Sequence, residues 1–135
     1  MTLFVDTSVW SLAFRRDSAQ EEPEVRRLRE ALSGMEPVHS TGIVLQELLQ
    51  GFRGPKAKAQ IVERFSEIAL ITPCRNDYID AAGLRNRCRS HGVQVGTIDA
   101  LLAQICVQHS LVMLSTDRDF AHVARWTPLK LWART

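Results

Sequence analysis

Leu3-Phe4-Val5 is an unbroken apolar run that stops abruptly at Asp6, Thr7 and Ser8. A run so short and so apolar reads as a strand buried on both faces, as in a parallel sheet covered by helices. Asp6 then stands where the strand leaves the sheet, and Thr7 and Ser8 are residue types that start helices. In open parallel α/β sheets, ligands bind outside the carboxyl ends of the strands. Asp6 is therefore a candidate site residue as well as a candidate helix cap. The same pattern returns near the other end of the chain, where Leu111-Val112-Met113-Leu114 runs into Ser115-Thr116-Asp117-Arg118-Asp119-Phe120.

Between these stretches the pattern alternates. Val9 to Phe14 reads as a short helix with Trp10 and Phe14 on one face, after which Arg15, Arg16 and Asp17 return to solvent. Pro23 to Leu32 is a helix with Pro23 in its first turn, acids at its positive end and the stripe Val25, Leu28, Leu32. Ser33-Gly34 ends it. Pro37 to Ser40 is a second, extended segment, and its His39 reads as structural. Thr41 or Gly42 caps a helix from Ile43 to Gly51 that is apolar nearly all round. Glu47 interrupts that helix, and a carboxylate on a mostly buried helix needs a partner or a task.

A turn at Gly51 to Pro55 precedes a more polar helix, Lys56 to Glu67, with Ile61, Phe65 and Ile68 inward. Ala69-Leu70-Ile71 is the third strand. Arg75 to His91 is a long helix, with Tyr78, Ile79, Ala82 and Cys88 expected to face inward and Arg85, Arg87 and Arg89 near its end. Thr97 is expected to cap a strongly apolar helix, Ile98 to His109, whose first turn carries Asp99. A short helix, Phe120 to Arg125, and a last strand, Leu129 to Leu131, complete the chain. Strands alternating with helices predict an α/β domain with a parallel sheet and right-handed crossovers.

The 135 residues, 45% of them hydrophobic, suit one domain of ordinary size. Cys74, Cys88 and Cys106 are odd in number and widely spaced, which argues against a disulfide scaffold or zinc site and for reduced thiols in a cytosolic (cytoplasmic) protein. Neither a signal peptide nor a membrane-spanning run is expected. A net charge of +2 neither demands nor excludes nucleic acid. No Gly-rich phosphate cradle is present, which disfavours nucleoside-triphosphate chemistry.

The acids gain meaning as a set. Ends of parallel strands and starts of the following helices share one sheet edge. Asp6, Asp99 and Asp117 are thereby expected as neighbours, with Glu47 delivered by its helix. Two carboxylates about 4 Å apart repel by roughly 4 kcal/mol at an effective dielectric near 20. Three or four together need shared protons or a cation. An all-oxygen set favours Mg²⁺ or Mn²⁺ over Zn²⁺. Such a centre suits hydrolysis of phosphodiester bonds. Thr7, Ser8 and Thr116 are candidates for hydrogen bonds that orient the carboxylates or hold phosphate. Arg85, Arg87 and Arg89 either complement a helix C-terminus or contact RNA phosphates.

Taken together, Val5-Asp6-Thr7-Ser8-Val9-Trp10, Gln46-Glu47-Leu48-Leu49, Thr97-Ile98-Asp99-Ala100-Leu101-Leu102-Ala103 and Ser115-Thr116-Asp117-Arg118-Asp119-Phe120 resemble the ordered acidic motifs of PIN domains. More narrowly, they resemble those of VapC ribonuclease toxins of type II toxin–antitoxin pairs, over essentially the whole chain. The resemblance implies a three-layer α/β/α sandwich with a central, mostly parallel five-stranded sheet in a single domain spanning 1–135. It implies Mg²⁺- or Mn²⁺-dependent cleavage of RNA, with Asp6, Glu47, Asp99 and Asp117 as the acids and Asp119 as a less uniform further ligand position. It also implies a homodimer and silencing by a VapB-type antitoxin.

Two other readings stay open at this point. A phosphoaspartyl phosphatase would use Asp6 as nucleophile but generally wants an acid where Ser8 stands. A non-catalytic RNA- or protein-binding module on the same fold needs none of the four acids.

Overall fold

In a computed structural model that describes residues 1–15 and 21–133, Leu3, Phe4 and Val5 have no solvent exposure. They form β1 (Leu3–Val5), the middle strand of a sheet completed by β2 (Val38–Thr41), β3 (Ala69–Ile71), β4 (Val112–Leu114) and β5 (Lys130–Leu131). The order is β3-β2-β1-β4-β5, and all four pairings are parallel. All five strands foreseen from sequence are present. Their apolar character on both faces holds only toward the centre. β3 lies at an edge with Ala69 and Leu70 exposed, because one side of an edge strand has no neighbour to cover it.

The chain builds outward from β1 to β2 and β3, then returns to lay β4 and β5 on the other side of β1. With right-handed crossovers this places the helices before the return on one face and those after it on the other. The first group is α1 (Thr7–Phe14), α2 (Pro23–Ser33), α3 (Gly42–Gly51) and α4 (Pro55–Phe65). The second is α5 (Arg75–Ser90), α6 (Thr97–Gln108) and α7 (Asp119–Trp126). Contacts follow that division, α1 with α2 and α3 in the first group, α5 with α6 and α7 in the second. This is the expected three-layer arrangement. Arg16 and Asp17 lie outside the described residues.

Apolar spacing accounts for the packing of most helices. Val9 and Trp10 are buried on α1, Val25 and Leu28 on α2, and Ile61 and Phe65 on α4. Trp10 stacks near Phe14 at 6.1 Å and meets Phe65 at 4.9 Å between ring centroids. Two local expectations need correction. The N-cap position of α6 is Gly96, and Thr97 is already its first helical residue. On α5 the buried face is Asp77, Ala81, Leu84 and Cys88, whereas Tyr78, Ile79 and Ala82 are exposed.

Asp77 is satisfied locally on that face: its Oδ2 accepts a 2.8 Å hydrogen bond from the Cys74 backbone N–H, which closes the helix start. Ala81, Leu84 and Cys88 follow it at helical spacing on the core side. Replacing Leu84 with Ala should cost about 2–4 kcal/mol, against less than about 0.5 kcal/mol for Ala82→Ser. Urea unfolding of both variants checks the assignment, and equal losses would restore the face expected from sequence.

Candidate active site

The strand order reverses between β1 and β4, and in parallel α/β sheets a crevice opens at such a point. Asp6 follows β1 directly, and its backbone N–H donates to the Leu114 carbonyl at 3.2 Å. Because Val5 is in register with Leu114, the next residues outward, Asp6 and Ser115, face each other across the pair. The Ser115 hydroxyl donates to Asp6 Oδ2 at 2.6 Å. Asp6 Oδ1 accepts from the Ser8 hydroxyl at 2.6 Å and from the backbone N–H groups of Ser8 and Val9 at 3.1 and 3.4 Å. Asp6 is thus the N-cap of α1 and a member of the acid cluster at once.

The remaining groups interlock around it. The Ser8 hydroxyl accepts from the Thr116 backbone N–H at 3.0 Å. The Ser115 hydroxyl accepts from the Asp117 backbone N–H at 2.9 Å. Asp117 Oδ1 accepts from the Asp119 backbone N–H at 2.9 Å, which turns the chain into α7. Across the cleft the Thr7 hydroxyl donates to Glu47 Oε1 at 2.7 Å. Glu47 is half-buried on α3, so it does not simply point to water.

Thr7 and Ser8 both donate hydrogen bonds to carboxylates, Glu47 and Asp6 respectively. Thr116 takes part through its main chain, and the hydroxyl on Asp6 from this loop is that of Ser115. Ser115 was missed because sequence shows only that a hydroxyl precedes Asp117. Strand register decides which hydroxyl reaches Asp6.

Asp99 stands in the first turn of α6 and is half-buried. Burial first, then the charges of Asp117, Asp6, Glu47 and Asp119 in that order, push its carboxyl up to about 6. Those side chains are therefore close enough for mutual repulsion to be felt at Asp99. Burial also raises the Asp6 carboxyl, opposed by the hydrogen bonds from Ser115, Ser8 and Val9. None of these acids has a Lys or Arg ion pair among the described residues.

The donor set fits a hard cation in chemistry and charge, being all oxygen with no Lys or Arg ion pair among the described residues. It is not drawn up into a cage. Among the described residues, no three His, Cys, Asp or Glu side chains are grouped as a ready metal site. A cavity of about 880 Å³ lies elsewhere, between α1, α2 and α4, and is lined by none of the four acids.

A family model described as PIN domain matches residues 3–125. The chain belongs to the PIN domain family. Among solved structures, this PIN domain resembles VapBC2 of Rickettsia felis bound to a promoter DNA fragment, with TM-score 0.77 and 16% identity over all of both chains. It resembles FitAcB of Neisseria gonorrhoeae with TM-score 0.71 and 21% identity, covering 98% of this chain and 97% of that one. A third likeness is to Mycobacterium tuberculosis VapC20, a toxin that cleaves the sarcin-ricin loop. There the TM-score is 0.69 at 17% identity, covering 95% and 98% of the chains. No curated protein matches the sequence. At such identities the likeness speaks for the fold.

The raised carboxyls carry a stability consequence. An acid that takes up protons more readily folded than unfolded makes the folded state less stable as pH rises between the two pKa values. For Asp99 that window runs from its ordinary 3.8 to about 6, and Asp6 acts in the same direction. With chelator present, the melting temperature attributable to this cluster should fall between pH 4 and pH 7. Asp99→Asn should flatten the fall relative to the parent. An identical profile in the variant would remove Asp99 from the repelling set.

Proposed function

We propose that this PIN domain is a VapC-type endoribonuclease that hydrolyses RNA phosphodiester bonds with Mg²⁺ or Mn²⁺. The observation that carries this reading is the gathering of acids at one sheet edge: Ser115 bonds Asp6 and accepts from the Asp117 backbone, Thr7 beside Asp6 holds Glu47, and none of these acids has a Lys or Arg ion pair among the described residues. Asp6, Asp99 and Asp117 would hold the ion, with Glu47 reaching it directly or through water and Asp119 as a weaker ligand. A bound divalent ion supplies neutralising charge and a more acidic water at a phosphate.

The chain's own residues do the positioning. Ser8 and Ser115 fix both oxygens of Asp6, so its lone pairs keep one direction. Thr7 holds Glu47 by one oxygen, which leaves Oε2 without a partner among the described residues. The described half of the cleft is therefore organised before any substrate arrives, as orientation of reacting groups requires.

Asp6→Asn and Asp99→Asn should each reduce metal-dependent cleavage of single-stranded RNA at least about 100-fold. Circular dichroism should report a folded chain in each, with Asp6→Asn the less stable of the two because its amide cannot accept at both positions that Ser8 and Ser115 occupy. Retained cleavage would end the nuclease reading, and RNA binding without cleavage in the parent would favour a binding module. Mg²⁺ should also raise the melting temperature of the parent at pH 7.5 and leave that of Asp99→Asn nearly unmoved.

The partners follow from the same kinship. Structures similar to this chain include VapBC and FitAB assemblies. On that basis we assign it a VapB-type antitoxin that silences the nuclease in the cytoplasm. Added in equal amount, that partner should co-elute with the chain and abolish cleavage.

A homodimer is proposed as well. Tyr78 and Ile79, 55% and 60% exposed side by side on α5, offer apolar area that a solvated face does not need. Sedimentation should give a dimer that Ile79→Asp converts to monomer. A monomeric parent at high micromolar concentration would overturn this. No helix among the described residues is long and apolar enough to cross a membrane, and all three cysteines are free thiols.

A further inference from the structure

The three arginines near the end of α5 do not share one environment. Arg85 spends its Nε on the Val95 carbonyl at 2.7 Å, which ties the segment before α6 to α5. Arg89 makes a 3.4 Å contact with the Asn86 side-chain oxygen. Arg87 instead lines a second cavity of about 500 Å³ with His91, Arg125, Trp126, Thr127 and Pro128.

This cavity is built, and it is cationic. The His91 ring stacks on Trp126 at 4.0 Å and 18°. Its Nδ1 lies 3.0 Å from the Arg87 carbonyl, which orients the ring and leaves Nε2 without a protein partner among the described residues. The Arg125 guanidinium carbon lies 5.3 Å from the Trp126 ring centroid, within cation–π range. Thr127 closes the floor by donating its hydroxyl to the Val123 carbonyl at 2.8 Å. No acid lines the cavity, and neither Arg87 nor Arg125 has an ion-pair partner among the described residues.

Position makes the cavity useful. α7 starts at Asp119, against the acid cluster, and ends at Trp126, in the cavity. Eight residues at 1.5 Å rise put the two about 10 Å apart along the helix axis. A single-stranded polyanion with one phosphate among the acids has its neighbouring phosphates within reach of the arginines.

We propose that Arg87, Arg125 and His91, braced by Trp126, bind backbone phosphate of single-stranded RNA a few nucleotides from the candidate cleavage point. Trp126 already carries the His91 ring and the Arg125 guanidinium against it, so recognition here is of phosphate rather than of a stacked base. This inference rests on the nuclease reading above and gives that reading a second foothold on the strand.

The test is fluorescence anisotropy with a labelled 12-nucleotide RNA in chelator, so that no cleavage occurs. Arg87→Ala/Arg125→Ala should weaken binding at least about tenfold. The slope of log K against log salt should fall by about 1.4, two phosphate contacts at roughly 0.7 each on single strands. Both arginines are exposed, and the melting temperature should stay within a degree or two of the parent.

Parent binding with an unchanged double variant would overturn the second foothold and leave the nuclease reading standing. A parent that binds no RNA in chelator would overturn the second foothold, while the nuclease reading stands or falls on the cleavage assay above. If the double variant instead loses binding to poly-glutamate while keeping RNA, the cavity belongs to an acidic peptide and the RNA assignment fails.

Discussion

The site depends on one carboxylate that is buried and held from several sides. Asp6 is 5% exposed, and burial alone would favour its neutral form. Two hydroxyls and two backbone N–H groups converge on it instead and hold it in a single orientation. Those donors come from α1 and from the loop after β4, which meet only because β1 and β4 pair. The same contacts that cap a helix therefore seam the two halves of the molecule together. Hydrogen bonds to a charged acceptor are worth about 1.5–3 kcal/mol each where water is excluded. Asp6 is thus a fold element as much as a candidate ligand.

Around that fixed point the charge distribution is uneven. Asp99, Glu47, Asp117 and Asp119 crowd one end of the sheet with no basic side chain paired to them among the described residues. Arg87 of α5 and Arg125 of α7 lie about a helix length away. A net charge of +2 conceals this division, since opposite clusters cancel in the sum. For a polyanionic substrate the division is productive. A basic surface attracts the strand, and the acidic pocket receives a phosphate only with a cation's help.

The α5 helix shows where local pattern reading reaches its limit. Tyr78, Ile79 and Ala82 form a plausible apolar stripe, yet the core takes Asp77, Ala81, Leu84 and Cys88. A capping hydrogen bond from the Cys74 backbone satisfies the acid that lies on that face. Of Arg85, Arg87 and Arg89, Arg87 lines the cavity with Arg125, and nothing in the local pattern sets it apart from the other two.

Sequence alone determined the alternation of strands and helices, all five strands, and the acids worth grouping. These are local facts: apolar runs of strand length, caps and an acid just past a strand end are visible without neighbours. The tertiary structure decided the strand order, and with it the reversal between β1 and β4 that opens the crevice. It also decided that Ser115 rather than the Thr116 side chain holds Asp6, and that Arg87 joins His91, Arg125 and Trp126. Such outcomes turn on register and on contacts between residues remote in the chain, here 109 positions apart for Asp6 and Ser115. No local pattern encodes them, because pairing energies are settled by the whole packed sheet.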